Sequence, residues 1–345
     1  MDVVPTAADP QSCQHRSAYV NFVNTNVIQL ENVRLLNGGQ PLPLANCNAR
    51  IIRASLLPWA RQIGIKCVIK KSDDEEYKRQ HSAHERELAV WCTLNNPNIL
   101  PLSGTITLSY GYNTYMSPSA VFDFYEHGDI TVFIRSRYQP DDLHRFRLLC
   151  EVAEGLSYLH SEGVIHGDIK SPNVVIDPSL KAKICDFGSA YIPNCLGCIA
   201  GSPGQFHSLK SQLYLSPELW ADEDNDPPTT QESDVWALGC VMLEESPSFR
   251  FALCYLDGIM AHISQVQMGI PPYKTENDPY GFRTLQKRAS GHPPAHINDF
   301  SKSNISAAIG VVALECWIRE PEDRPSAQDV FEMLRETYSL FQAHL

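Results

Sequence analysis

The segment His166-Gly167-Asp168-Ile169-Lys170-Ser171-Pro172-Asn173, followed thirteen residues after Asn173 by Asp186-Phe187-Gly188, decides how this chain is read. It sets a carboxylate, an ammonium and an amide within eight residues, and a second carboxylate follows beside a glycine. A lone D-F-G carries almost no information, since such triplets arise often by chance. The spacing back to H-x-D-x-K-x-x-N is what makes the pattern specific. Just upstream, Leu149, Val152, Leu156 and Leu159 recur at steps of three and four within 146–162, the mark of an amphipathic or core helix. Gly163 suits the left-handed residue that ends such a helix. This helix would deliver the chain into the quoted segment.

Further signals extend outward. Cys67-Val68-Ile69-Lys70 is an apolar run ending in a lysine. Taken alone it is equally an ordinary strand with a surface lysine, and Lys66 and Lys71 sit nearby. Ser82-Ala83-His84-Glu85 has the form of a capping box and predicts the start of a helix with Leu88, Trp91 and Cys92 on one face. Asp73-Asp74-Glu75-Glu76 reads as a solvated turn before it. Val121-Phe122-Asp123-Phe124-Tyr125-Glu126-His127-Gly128 is a buried strand running into a glycine turn.

Together with Asn96-Pro97-Asn98-Ile99-Leu100-Pro101-Leu102, Ser216-Pro217-Glu218, Asp234-Val235-Trp236-Ala237-Leu238-Gly239 and Cys316-Trp317-x₅-Asp323-Arg324-Pro325, these stretches resemble the eukaryotic protein kinase superfamily. Lys170 and Ser211 place the resemblance on the serine/threonine side, and the phrasing is most similar to the tyrosine-kinase-like group, in particular its fungal members. The motifs run from about 45 to 335. The resemblance implies an α+β, bilobed protein-kinase-like fold: a small β-rich N-lobe over 28–126 and a larger helical C-lobe over 127–345. It implies a protein kinase using ATP and Mg²⁺ on a protein substrate. Asp168 would orient the substrate hydroxyl and Lys170 would neutralise the moving phosphoryl group. Asn173 and Asp186 would ligate the metal. Lys70 would anchor the α and β phosphates and pair with Glu87, for which Glu85 is the nearest competitor. Phe122 would be the gatekeeper, and the backbone of Asp123, Phe124 and Tyr125 the adenine-binding hinge. Asn46, Ala49 and Ile51 fall on the glycine-rich loop. Glu218 would pair with Arg324.

Three departures bear on activity. No glycine occurs in 44–51, where glycines would let the backbone approach the phosphates closely. Gly167 removes the arginine that reads an activation-segment phosphate in many kinases. A largely apolar insertion at about 246–268 suits packing on the C-lobe or contact with a partner protein. An active serine/threonine kinase and a pseudokinase scaffold with weak or no ATP turnover therefore both stand, distinguished by whether the lysine, glutamate and metal-ligand set works.

Composition bounds the rest. At 345 residues with 43% hydrophobic content the chain can bury a sizeable core. A net charge of −12 argues against phosphate-driven binding of nucleic acid and against a polybasic membrane anchor. No apolar run approaches a spanning helix and the N-terminus lacks a signal-peptide pattern. A soluble intracellular protein is expected, cytoplasmic with the nucleus also open. Eleven scattered cysteines do not form a disulfide framework. Residues 1–27 carry few strong signals and are expected to be disordered or loosely docked.

Overall fold

The structure, a computed structural model, describes residues 14–36, 39, 49–68, 74–110, 113–114, 118–135, 140–193, 195, 214–220, 227–245, 293 and 303–343. Asn46, Lys70, Ser211 and the 246–268 segment lie outside these. The chain divides into two compact units, one comprising 1–126 with 186–202 and the other 127–185 with 203–345.

In the first unit the strands are β1 (Val33–Leu35), β2 (Ala49–Leu56), β3 (Arg61–Val68), β4 (Leu102–Ile106), the short pair β5 (Ser109–Tyr110) and β6 (Asn113–Thr114), and β7 (Ser119–Asp123). Five of them form an antiparallel sheet in the order β1-β2-β3-β7-β4. Strand alternation explains its two faces. Ile52, Ala54, Ile63, Ile65, Cys67, Ile106 and Val121 are buried in one apolar cluster. The intervening residues point the other way, with Ile51 opposite Lys66, Arg53 opposite Gly64, and Gly64 opposite Phe122.

Two helices accompany this sheet, and both differ from expectation. The helix α1 (Gln14–Thr25) and the backbone after it pack in this unit, within the 1–27 stretch expected to be disordered or loosely docked. Tyr19 is buried, the Ile28 amide donates to Thr105 O at 2.8 Å, and the Thr105 amide donates to Asn26 O at 2.9 Å. Gly104 permits this approach: a Cβ there would lie 2.7 Å from Asn26 O. The helix is polar and short, so tertiary contact rather than propensity sustains it, which is why no periodic signal marks it. The second helix, α2 (Asp74–Trp91), starts a full two turns before the expected cap. Ser82 therefore lies in its interior, and the acidic run at 73–76 is not a separate turn but leads into the first helical turn, where carboxylates are favoured by the helix dipole.

The second unit is mostly helical: α3 (Ile130–Arg135), α4 (Asp142–Ser161), the hairpin β8 (Val174–Ile176) and β9 (Ala182–Ile184), α5 (Gln231–Glu245), α6 (Asn304–Cys316) and α7 (Ala327–Ala343). Asp141 caps α4 by accepting from the His144 amide at 2.7 Å. The periodic residues Leu149, Val152, Leu156 and Leu159 are fully buried, and α4 packs against α7. Gly163 ends α4 at φ +72°, as its position suggested. Among the described residues no helix is long and apolar enough to cross a membrane.

Candidate active site

In the first unit three charged side chains converge. Lys66 Nζ donates to Glu87 Oε1 at 2.6 Å and to Asp186 Oδ1 at 2.7 Å. The lysine that meets Glu87 is thus Lys66, and the expectation for Lys70 is corrected. The reason is strand geometry. Ile63, Ile65 and Cys67 turn into the apolar cluster, so alternation turns Lys66 to the opposite face, toward α2, and β3 ends at Val68 before Lys70 is reached. Ile63-Gly64-Ile65-Lys66 carries the same pattern of an apolar run closed by lysine, four residues before the stretch singled out in the sequence. Glu87, rather than Glu85, makes the pair and is 4% exposed. Burial alone would depress the Lys66 pKa strongly. The adjacent Asp186 and Glu87 carboxylates outweigh that and raise it, so this ammonium stays charged.

Asp186 sits in the left-handed region at φ +66°, uncommon for a residue with a side chain and a frequent mark of functional sites. Its neighbour Phe187 is fully buried and packs on Trp91 at 5.8 Å between ring centroids, and Trp91 packs on Phe122 at 5.7 Å. Trp91 lies one helical turn after Glu87, so the ring series and the ion pair share one helix. Sequence reasoning used Trp91 only as part of an apolar face.

The segment after β7 is fixed by two arginines. Arg61 Nη2 donates to Asp123 Oδ2 at 2.7 Å, its Nε donates to the other carboxylate oxygen, and the guanidinium of Arg53 lies 4.4 Å over the Phe124 ring. The Phe124 amide donates to Gln62 O at 3.1 Å. Alternation along an extended chain then turns the Asp123 carbonyl and the Tyr125 amide to the other edge. Ile51 is directly opposite Lys66 in the β2–β3 register, and Ala49 opens β2. β1 ends at Leu35, so the connection to β2 runs over 36–48 and carries its glycines, Gly38 and Gly39, at its start rather than within 44–51.

In the second unit the segment from His166 to Asn173 is organised around Asp168. Lys170 Nζ donates to Asp168 Oδ2 at 2.6 Å. Asn173 Nδ2 donates to Asp168 O at 2.8 Å and to its Oδ2 at 3.2 Å. With its NH₂ group used this way, the Asn173 amide directs its carbonyl oxygen elsewhere. The segment's backbone is held by Asp234, 2% exposed, whose carboxylate accepts from the His166 amide at 2.8 Å and the Gly167 amide at 2.9 Å. Asp234 was visible in the sequence only as part of a motif, and its role as the anchor of this loop was not. His166 is a packed structural residue, with its Nε2 3.2 Å from Cys185 O and its Nδ1 accepting from the Asp168 amide.

Beside Asp168 lies a small pocket whose wall includes Ile169, Tyr214, Leu219, Thr229, Ser233 and Asp234. Tyr214 is held there by a hydrogen bond from its hydroxyl to Glu244. Below it, Arg324 and Glu218 form the expected pair in bidentate form, at 2.6 and 2.7 Å. Burial would raise the Glu218 pKa, but hydrogen bonds from Arg324 and Ser216 prevail and hold it below the usual value.

Among the described residues no group of three or more His, Cys, Asp or Glu side chains converges on an ion site. Mg²⁺ does not require one, because it is commonly held by one or two protein oxygens together with waters and substrate phosphates. Asn173 in the second unit and Asp186 in the first each carry a hard oxygen donor of the kind Mg²⁺ takes.

Comparison with known proteins agrees. The protein kinase domain profile matches residues 57–334. Receptor-interacting serine/threonine-protein kinase 3 of Rattus norvegicus is 26% identical over 309 residues, covering 85% of this chain and 54% of that protein. Serine/threonine-protein kinase CTR1 of Arabidopsis thaliana is 24% identical over 259 residues, covering 72% of this chain and 26% of that protein. The chain thus spans about half or less of the length of these relatives. With four-fifths of its length matched and the lysine, glutamate and aspartate set in place, this chain belongs to the protein kinase domain family.

Proposed function

We propose that this chain is an ATP-dependent serine/threonine protein kinase, transferring the γ-phosphate of ATP to hydroxyls of a protein substrate. The observation that carries this is the bridging of Glu87 and Asp186 by a half-buried, charged Lys66. A scaffold has no physical need to hold an ammonium between two carboxylates and also to keep Asp168, Lys170 and Asn173 hydrogen-bonded as a set.

The roles follow from the groups. Lys66, fixed by Glu87, presents positive charge to the α and β phosphates. Asp186 and Asn173 would hold Mg²⁺ by their oxygens, and the bound ion supplies neutralisation of charge on the transferring phosphoryl group. Asp168 accepts a hydrogen bond from the substrate hydroxyl and orients it, while Lys170 offsets charge building on the γ-phosphate. The Asp123 carbonyl and the Tyr125 amide suit the adenine edge, and Ile51 the adenine face.

Purified protein incubated with Mg²⁺, labelled ATP and a generic protein substrate tests the proposal. Phosphate should appear on serine and threonine, and neither Asp168→Asn nor Asp186→Asn should support it. Asp168→Asn should still bind nucleotide. Incorporation no higher in the wild type than in Asp186→Asn would refute the kinase reading and leave the scaffold.

A further inference from the structure

His15 and Cys195 are 180 positions apart in sequence, and the first unit brings them together. His15 lies in the first turn of α1 and Cys195 on the stretch that follows Asp186, with the Cys195 Sγ 3.8 Å from His15 Nδ1. Zinc takes a thiolate at about 2.3 Å and an imidazole nitrogen at about 2.0–2.1 Å, so two such ligands of a tetrahedral ion stand about 3.6 Å apart. The observed pair is spaced close to an edge of that tetrahedron. A thiol hydrogen-bonded to an imidazole has a similar separation, and the pair alone does not choose between the two. The residues beside it do.

Cys13-Gln14-His15 and Cys195-Leu196-Gly197-Cys198 each place a further thiol beside one member of the pair. Cys13 and Cys198 lie outside the described residues, and chain connectivity bounds their reach: their Cα atoms are at most about 7 and 11 Å from those of His15 and Cys195. The spacing C-x-x-C is the one by which a single segment gives zinc two ligands, and such a site needs a second pair from elsewhere in the chain. The start of α1 supplies it. Three thiolates leave a zinc centre with net negative charge, which the dipole at that end of α1 favours. Other cysteines of the chain differ. Cys67 and Cys150 are buried, and burial pushes their thiols up to about 11 and about 12, where a thiol is inert.

We propose that Cys13, His15, Cys195 and Cys198 form a structural zinc site that fastens the start of α1 to the stretch following Asp186. A Cys₃His set fills all four positions of a tetrahedral ion, so the site is closed and its role is to hold rather than to react. Clips of this kind gain most where the chain between the ligands is long, as it is here. The ion accounts for a short, polar helix that local propensity does not sustain. Because α1 packs on α2, which carries Glu87, the clip also braces that helix. The site uses no nucleotide and stands apart from the kinase reading.

The test uses the full chain, purified under reducing conditions, with Zn²⁺ and Co²⁺ as probes. Metal analysis should find one zinc per chain. Co²⁺ in its place should give a tetrahedral ligand-field spectrum and the thiolate charge-transfer band of a three-sulfur site. Cys13→Ser, Cys195→Ser and Cys198→Ser should each lower that band by about a third and weaken Co²⁺ binding more than about a hundredfold, beyond the cost of losing a group that only supports a ligand. His15→Ala should weaken binding likewise, whereas His15→Cys keeps a donor and should retain the metal with a stronger band. Chelation should accelerate hydrogen exchange across 14–25 at least about fivefold while α4 stays protected. Absence of stoichiometric metal from a chain whose α4 is protected, a band that counts fewer than three sulfurs, metal retained in Cys195→Ser or His15→Ala, or exchange across 14–25 indifferent to chelation would each overturn the proposal.

Discussion

Replacing Lys66 and Lys70 separately by methionine discriminates between the lysine that strand geometry selects and the one that the sequence motif suggested. Lys66 has a side-chain exposure of 14% and contacts Glu87 at 4% and Asp186 at 45%. Breaking a fully buried pair from one side costs about 3–5 kcal/mol, because a charge is left without compensation. Here Asp186 is half in water and recovers much of its solvation, so the expected loss is about 1–3 kcal/mol. For a domain of this size that is a fall in Tm of roughly 1–5 °C. The sign with pH follows from the raised Lys66 pKa. Its contribution is fully present below the unfolded lysine value near about 10.4 and fades only as pH rises through the still higher folded value. The Lys66→Met deficit should therefore be flat between pH 6 and 9. Phosphate transfer should fall by about 10²–10³-fold, the range for removing one group that stabilises charge in the transition state. Lys70→Met should lose less than about threefold. Thermal melts and a transfer assay on both variants decide it. A Lys70→Met variant as inactive as Lys66→Met would refute the assignment.

Three further outcomes are expected. Glu218→Gln should lower Tm at pH 7, and because the Glu218 pKa is depressed its contribution is fully present above the unfolded value near about 4.3 and is lost as pH falls through the still lower folded value, so melts of variant and wild type should converge only on that acid limb. Tyr19→Ala should speed hydrogen exchange across 74–91 and reduce transfer several-fold, since the buried ring ties α1 to the helix that carries Glu87; unchanged exchange would make α1 a passenger. Phosphatase treatment should change transfer by less than about tenfold, or roughly 1.4 kcal/mol in the barrier, because Gly167 offers no guanidinium to an activation-segment phosphate; a larger loss restored by rephosphorylation within 189–215 would refute this.

Most of the second unit was legible because its signals are local. The steps of three and four through Leu149, Val152, Leu156 and Leu159 describe α4, and the Asp168, Lys170 and Asn173 set lies within six residues, so its spacing alone brings its members together. Glu218 and Arg324 are 106 positions apart and were paired only by resemblance. The first unit was harder. Its assignments depend on register, and a strand motif shifted by a few residues still looks apolar. Cys67 to Lys70 and Ile63 to Lys66 fit the same pattern, and only knowing where β3 ends separates them. Alternation along the strand cannot do so, because Lys66 and Lys70 are four residues apart and would fall on the same face. The cap at Ser82 failed for a related reason: a serine followed three residues later by glutamate is also common inside a polar helix, and α2 is polar over most of its length.

The glycines show the same dependence on register. No glycine occurs in 44–51, where the resemblance puts the glycine-rich loop, whereas Gly38 and Gly39 follow soon after the end of β1 at Leu35. Gly39 has a φ of +74°, a conformation that favours glycine. Gly167 lies at φ +72° while its amide donates to Asp234, so an arginine restored there would carry a left-handed backbone penalty of about 1–2 kcal/mol. Gly64 has no unusual dihedral, and its need is steric. Glycines in this chain thus answer to different constraints, among them chain reversal at Gly39, a loop anchored on Asp234 at Gly167, and room for a ring at Gly64. Only the last is invisible without knowing which residue lies across the sheet.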